Sequence, residues 1–377
     1  MTDGAVALTG IGTVNALGAG GRTALASALA SGRSGAGPLR AFDPGDLASR
    51  LAAEVDEASI ADGLDADGAR RLSRICRLAV AACRLAVADA GVARGPDLGV
   101  VVGSEHGDFR SSVGFVSGYL ARGPGGLSPL TFPSTVMNTM AAAAAIDVDA
   151  RAVTVTVNEA TVAGELAVAR GVALIRSGHA RAVVAGGVDE IFEPVHRQLA
   201  RLGALAPMRG RRPEGAPRAP GRDGPVPGEG ATFVVLEDPV AARARDAPVL
   251  ALVTLAAWGG VPAAPHAGGR TPGDAASPVA RLLRGPAGAG VVKCYGAANG
   301  DPLLHDWEEA LLRADLGAGA ERLLPPVTLA AAFGQHGGLG ALRVGAAALD
   351  AAGGVAPVLV HGLARSGCRT ALVLDRP

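Results

Sequence analysis

Three features of the 377-residue sequence predict a layered α/β fold. Short all-apolar strands such as "DLGVVVGS" and "RAVVAGG" alternate with helices, as in a mixed sheet covered on both faces. Residues 154–187, "TVTVNEATVAGELAVARGVALIRSGHARAVVAGG", read as a strand, a sharp turn, a helix and a second strand. "GEGATFVVLED" and "SGCRTALVLDRP" each run a glycine turn into a strand, which points loosely to an internal duplication.

The elements follow in order. "AVALTGIGTVNALG" is a strand entering a glycine-punctuated loop. In "RRLSRICRLAVAACRLAVADAG", Leu72, Ile75, Leu78, Ala82, Leu85 and Ala86 make one helical stripe, and Gly91 stands where a C-terminal cap belongs. "SEHGDFRSSVGFVSGYLARGP" carries an aromatic-rich helix with Phe109, Ser112, Phe115, Val116 and Tyr119. From Val153 to Val157 the apolar residues alternate, Asn158 breaks the run, and Glu159–Ser177 is helix-compatible through Val162, Leu166, Val168, Val172 and Ile175. Gly178 stops that helix and Ala182–Ala185 starts a buried strand. Residues 207–230 form a long Pro/Gly/Arg loop before the strand "ATFVVLED". The second half repeats the grammar: strands "PVLALVTLAAW" and "VVKCYG", the small-residue helix "GLGALRVGAAALDAAGG", then strand, turn and strand in "VAPVLVHGLARSGCRTALVLD". The halves divide near 238–248, giving units 1–240 and 241–377.

Hydrophobic residues make up 49% and charged residues 19%, enough apolar material for a large core. The net charge of zero supports neither a nucleic-acid nor an anionic-membrane partner, with the arginines around 209–222 the place for any basic patch. Lys293 is the one lysine. The N-terminal "MTDGAVALTGIG" has no secretion-signal pattern, and "MAAAAAI" at 140–146 is too short to span a bilayer, so a soluble cytoplasmic protein is expected. Cys76, Cys83, Cys294 and Cys368 show no metal-like spacing and read as reduced, mostly buried thiols; no metal or cofactor is expected.

A turn from strand into helix is where many enzymes present a nucleophile, because the helix N-terminus offers free amides to a developing oxyanion. At that turn this sequence has Ala160-Thr161-Val162. Taken in order, "ALTGIGTVNALG", "SGRSGAGPLRAFDPGDLASRLAAEV", "FPSTVMNTMAAAAAI", "LIRSGHARAVVAGGVDE" and "GRDGPVPGEGATFVVLED" resemble the β-ketoacyl synthase (condensing enzyme) family over nearly the whole chain. The resemblance implies a thiolase-like fold: two duplicated βαβαβαββ halves forming a layered α-β-α-β-α core.

The family's chemistry uses a cysteine and two histidines. A thiol of reference pKa about 8.5 ionises readily at a helix N-terminus, whereas a hydroxyl does not. Carried onto this sequence, the cysteine position falls on Thr161, the first histidine on Tyr295 and the second on Gln335. The family's lysine position falls near Ala330, and Arg365 in "ARSG" stands where its phenylalanine gate would be. The resemblance therefore implies a lost condensation activity and is closest to the chain length factor of type II polyketide synthases. That subunit pairs with an active ketosynthase as a heterodimer, meets the acyl carrier protein through the complex, and lines the tunnel for the growing polyketide chain. Its tunnel positions fall on Phe109, Ser112 and Val116, with Phe115 and Tyr119 on the same helix. Chain length factors of aromatic systems usually carry glutamine at the Thr161 position, which leaves a divergent, polyene-type system open.

Each residue also has a plainer reading. Thr161 could accept an acyl group or merely fill the space of a cysteine; Tyr295, with a reference pKa of about 10, is a poor base for it. His336 could substitute for the second histidine or be structural, and Glu159 could be an acid–base group or stabilise a helix dipole. Glu105, His106 and Asp108 read as a polar loop rather than a metal cluster, and Gly228, Gly230 and Arg222-Asp223 as a turn with backbone duty. Two alternative functions stand beside the chain length factor: a stand-alone acyltransferase or thioesterase using Thr161, and a homodimeric pseudo-ketosynthase scaffold.

Overall fold

A computed structural model describes residues 4–61, 64, 69–207, 224–260 and 277–377 of the chain; the arginine-rich stretch 209–222 and the Arg222-Asp223 pair lie outside the described residues. Among the described residues twelve strands run in chain order: β1 Val6–Asn15, β2 Gly18–Gly20, β3 Ala36–Pro38, β4 Leu51–Ala53, β5 Leu98–Ser104, β6 Thr154–Asn158, β7 Ala182–Asp189, β8 Gly230–Glu237, β9 Ala251–Gly260, β10 Lys293–Tyr295, β11 Val358–Leu363 and β12 Cys368–Asp375. Ten of them form one mixed sheet ordered β10-β11-β12-β9-β1-β8-β7-β5-β6, with β2 folded back on β1; β3 and β4 pair separately.

The duplication is visible in the strand pairing. β5 is parallel to β7, β7 antiparallel to β8, and β8 antiparallel to β1. In the second half β10 is parallel to β11, β11 antiparallel to β12, and β12 antiparallel to β9. The two glycine-turn strands singled out in the sequence, β8 and β12, hold equivalent places in these two runs.

Alternation along the strands builds the layers, because successive side chains leave opposite faces. In β8, Val234 and Leu236 join the central core while Ala231, Phe233 and Val235 join an outer one. In β12, Leu372 and Leu374 face the centre and Ala371 and Val373 the other outer core. Helices Ala163–Arg176 and Leu339–Ala352 fill the centre, and both are rich in buried alanine and glycine, so backbone comes close to backbone. Helices Arg74–Ala90 and Thr139–Asp147 cover one outer face, and Pro278–Leu283 and Pro302–Leu316 the other. The order is α-β-α-β-α, a mixed α/β fold of the thiolase type.

The stripe predicted for Arg74–Ala90 buries Ile75, Leu78, Ala82 and Ala86, and Gly91 ends the helix at φ 61°. Leu72 precedes the helix rather than lying on it. The central helix starts at Ala163, not at Glu159, because Thr161 takes φ 59° and breaks the helical run. Among the described residues no helix is long and apolar enough to cross a membrane.

Candidate functional site

The site lies where β6 turns into helix Ala163–Arg176. Asn158 ends β6, and its Nδ2 donates to the carbonyls of Ser104 and Glu105, both at 2.9 Å, which ties the turn to the end of β5. Gly103 lets the turn sit this close: a Cβ there would lie 2.1 Å from the Ala163 carbonyl oxygen. Thr161 then adopts the left-handed conformation at φ 59°, which a β-branched residue rarely takes. This is the strained geometry of a nucleophile elbow, kept with a threonine at its apex.

The surroundings of Thr161 are acidic. Its amide donates to Glu105 Oε2 at 3.2 Å, and its hydroxyl donates to the Ala160 carbonyl at 2.7 Å. Glu159 Oε1 accepts from the Ala160 amide at 3.2 Å and from Ser366 Oγ at 3.0 Å. Glu159 thus staples the elbow to the β11–β12 turn instead of sitting in the helix's first turn. Burial, with the nearby charges of Asp189 and Glu159, raises the Glu105 carboxyl above its ordinary range, against the lowering effects of His106 and the Thr161 amide.

Asp189 at the end of β7 organises the loops around this turn. Its carboxylate accepts from Ser104 Oγ at 2.6 Å, the Glu105 amide at 3.1 Å, the His106 amide at 3.2 Å and the Gly337 amide at 2.7 Å. One buried carboxylate therefore fixes Glu105 beside the 335–338 turn. The sequence offered no signal for this role beyond Asp189 closing an apolar strand.

Gln335 opens that turn, two residues before Gly337. Its backbone is strapped to residues 226–228, through the Gln335 amide to the Val226 carbonyl at 2.8 Å and the Gly228 amide to the Gln335 carbonyl at 2.9 Å. Its Oε1 accepts from Asn299 Nδ2 at 3.3 Å. His336 is buried and turned into its own loop, where Nδ1 accepts from the Gly338 amide at 3.1 Å. Burial pulls its pKa down to about 4, so at neutral pH it is uncharged. Gly228 and Gly230 do serve the backbone here: a Cβ at Gly230 would meet the Val14 carbonyl oxygen at 2.6 Å.

Tyr295 does not join the site. Its hydroxyl donates to Asp350 Oδ2 at 2.7 Å, and the Lys293 ammonium reaches the same oxygen at 2.7 Å. Burial first, and then the bond to Asp350, drive the phenol far above its ordinary pKa. The loop after Tyr295 is held instead by a buried set of charges. Glu308 accepts from the amides of Ala297 at 2.7 Å and Ala298 at 2.9 Å and from His361 Nδ1 at 2.7 Å. Burial alone would raise the Glu308 carboxyl, but the His361 hydrogen bond and these amides outweigh it and hold it below its ordinary value. Arg343 donates to the Gly296 carbonyl at 3.0 Å and lies 3.5 Å from buried Glu165. Arg365 pairs with Asp301. Ala330 is buried in the short helix Ala330–Phe333.

One thiol does stand near the elbow. Cys368 at the head of β12 feels the charges of Glu159 and Glu165, and burial with those charges pushes it up to about 12, far from a thiolate at neutral pH. Cys76, Cys83 and Cys294 are buried, and all four are free thiols. Asp108 caps helix Phe109–Arg122 by accepting from the Ser111 amide at 3.0 Å.

That helix leaves Phe109, Val116, Tyr119 and Leu120 exposed, and buries none of its residues. Phe109 meets Phe192 edge to face at a centroid distance of 5.7 Å, and Phe115 meets Phe132 at 5.8 Å. Ser112 Oγ donates to the Asp108 carbonyl at 3.0 Å.

A family profile, that of the β-ketoacyl synthase N-terminal domain, matches residues 3–242, which takes in the elbow, the Phe109–Arg122 helix and Asp189. The chain belongs to the β-ketoacyl synthase family. The putative polyketide β-ketoacyl synthase 1 of Streptomyces virginiae is 35% identical over 266 residues, 67% of this chain and 62% of that protein. The 3-oxoacyl-[acyl-carrier-protein] synthase 2 of a Synechocystis species is 30% identical over 231 residues, 59% of this chain and 55% of that protein. The matched part is thus less than two thirds of these relatives' length. Among solved structures, the ishigamide ketosynthase/chain length factor superposes with a TM-score of 0.81 at 24% identity, covering 99% of both chains. The AntDE:AntF assembly, described as a type II polyketide synthase acyl-carrier protein in complex with its ketosynthase, gives 0.82 at 18% identity and the same coverage. At these identities the likeness is one of fold, and the chemistry is read from the β-ketoacyl synthase positions themselves.

Proposed function

We propose that this chain is a chain length factor: a ketosynthase-like subunit of a type II polyketide synthase that leaves condensation to an active ketosynthase partner. The observation that carries the reading is the elbow. It keeps its strained backbone while Thr161 hydrogen-bonds to its own chain, Gln335 offers an amide, and Tyr295 is committed to Asp350. A condensing site needs a thiolate and imidazoles, and these groups supply neither. Stand-alone acyl transfer through Thr161 would need a base, and its hydroxyl is instead hydrogen-bonded to the Ala160 carbonyl.

The surface supports pairing. Among the described residues β6 ends the sheet, leaving an edge of backbone donors and acceptors, and such edges are covered in stable proteins. Beside it helix Thr139–Asp147 leaves Ile146 82% exposed, and a groove of about 890 Å³ runs past Asn138, Ala142, Ile146, Arg151, Val155 and Thr156. Leu130, Phe132, Val136 and Met137 extend the apolar surface toward the Phe109–Arg122 helix. The occupant proposed is the ketosynthase subunit, with Phe109, Ser112, Phe115, Val116 and Tyr119 lining the tunnel between the two chains and the carrier protein reached through the complex. The division into units 1–240 and 241–377 belongs to the same proposal. Co-expression with an active ketosynthase, followed by size exclusion and product analysis, tests it: the heterodimer should make a defined product that neither chain makes alone.

A further inference from the structure

In a working elbow the apex amide is a donor kept free for the oxygen that becomes negative when a carbonyl is attacked. Here that amide already has an acceptor, Glu105 Oε2 at 3.2 Å. The carboxylate is not a loose surface group that swings in. Its residue is fixed at three points: its amide to Asp189 Oδ2 at 3.1 Å, its carbonyl to Asn158 Nδ2 at 2.9 Å, and its carboxylate to the elbow itself. Asp189 is in turn bonded to the Gly337 amide, so the arrangement is braced across two loops.

We propose that Glu105 is a built-in plug that occupies the anion-binding amide of the elbow and keeps this turn from accepting an acyl group. This deepens the non-catalytic reading above and rests on it. Two physical effects work together. The carboxylate fills the hydrogen-bonding position an oxyanion would need, and its charge, beside those of Glu159 and Asp189, repels any anion forming at the apex. Loss of the nucleophile is therefore one of two blocks, and replacing Thr161 with cysteine alone leaves the second in place.

The test uses the full chain, alone or co-purified with its ketosynthase. Thr161→Cys is compared with Thr161→Cys/Glu105→Gln and Thr161→Cys/Glu105→Ala, with Thr161→Cys/Glu159→Gln as a control. Labelling by iodoacetamide is followed by intact mass of this chain across pH 6–10, after subtracting the rate of the unaltered chain. Acylation by a hexanoyl N-acetylcysteamine thioester is followed in the same way: the new thiolate takes the acyl group and N-acetylcysteamine leaves as the thiol. Both Glu105 variants should label about tenfold faster at pH 7 than Thr161→Cys, corresponding to a thiol pKa about one unit lower. They should also gain acylation. The Glu159 control should change much less, since Glu159 does not touch the apex amide. Labelling within threefold of Thr161→Cys in both Glu105 variants, with thermal melts showing folded protein, overturns the plug. So does an equal gain from Glu159→Gln, which would make the effect a general field. Chain-length control is judged on product lengths, so either idea can fail without the other.

Discussion

The Tyr295 hydroxyl donates to Asp350 at 2.7 Å, ten residues along its helix from Gly340, which packs against Glu165 at the elbow end. At 1.5 Å per residue that sets Asp350 about 15 Å farther along the helix. Tyr295 is thus anchored at the wrong end of a central helix for proton transfer at Thr161.

The isolated chain should accordingly form no carbon–carbon bond from acyl- and malonyl-carrier protein, as read by mass spectrometry. Thr161→Ala in the heterodimer should leave its rate within about threefold, because the hydroxyl donates to the backbone carbonyl of Ala160. Turnover by the chain alone would reject the non-catalytic assignment.

Pairing should be obligate. An interface across β6, Ile146 and the 130–137 loop should bury upwards of about 2,000 Å² in total, and the chain expressed alone should aggregate or self-associate. Ile146→Asp should weaken the heterodimer on size exclusion at least tenfold. A well-folded monomer would count against the assignment.

Product length should follow the Phe109–Arg122 helix. Phe109→Ala opens space and should lengthen products at a largely retained rate, each methylene placed in apolar surroundings gaining about 0.8 kcal/mol. Ser112→Phe and Val116→Phe should shorten them. Unmoved length distributions in all three heterodimers would leave a scaffold role instead.

Stability should fall on acidification through His336. The unfolded ring titrates near 6.5 and the folded one at about 4, so the unfolded state binds the extra proton between those values. The folded state is therefore fully favoured above pH 6.5, loses stability as pH drops toward 4, and loses no more from this group below it. The loss is roughly 3 kcal/mol for a ring this deeply buried. Urea midpoints of the wild type and His336→Gln across pH 4–7 check this, with a shallower slope expected for the variant.

Glu308→Ala should cost about 3–5 kcal/mol, because it leaves His361 and two buried amides without their acceptor. Glu308→Gln should cost less. Chemical denaturation measures both, and a neutral Glu308→Ala would mean the 296–299 loop is held by other bonds.

By itself the sequence determined the order of elements and their buried faces. Short apolar runs gave β5, β7, β8, β11 and β12, the alternation from Val153 to Val157 gave β6, and a stripe ending at Gly91 gave the long outer helix, since all these signals depend on residues near one another in the chain. It also carried the β-ketoacyl synthase resemblance, which implies that Thr161, Tyr295 and Gln335 stand at the family's cysteine and histidine positions. Tertiary structure alone decided what those residues face. Glu105 and Thr161 are 56 residues apart and Asp189 and Gly337 are 148 apart, yet each pair shares a hydrogen bond. Tyr295 and Gln335 looked equivalent as replaced histidines, but one is drawn to Asp350 and the other to Asn299. Helix periodicity continued through Glu159, and the break at Thr161 came from a backbone angle that the closeness of β5 and Asn158 enforces. Such choices are made by long-range contacts between polar groups that must all find partners once buried, and no local pattern records them.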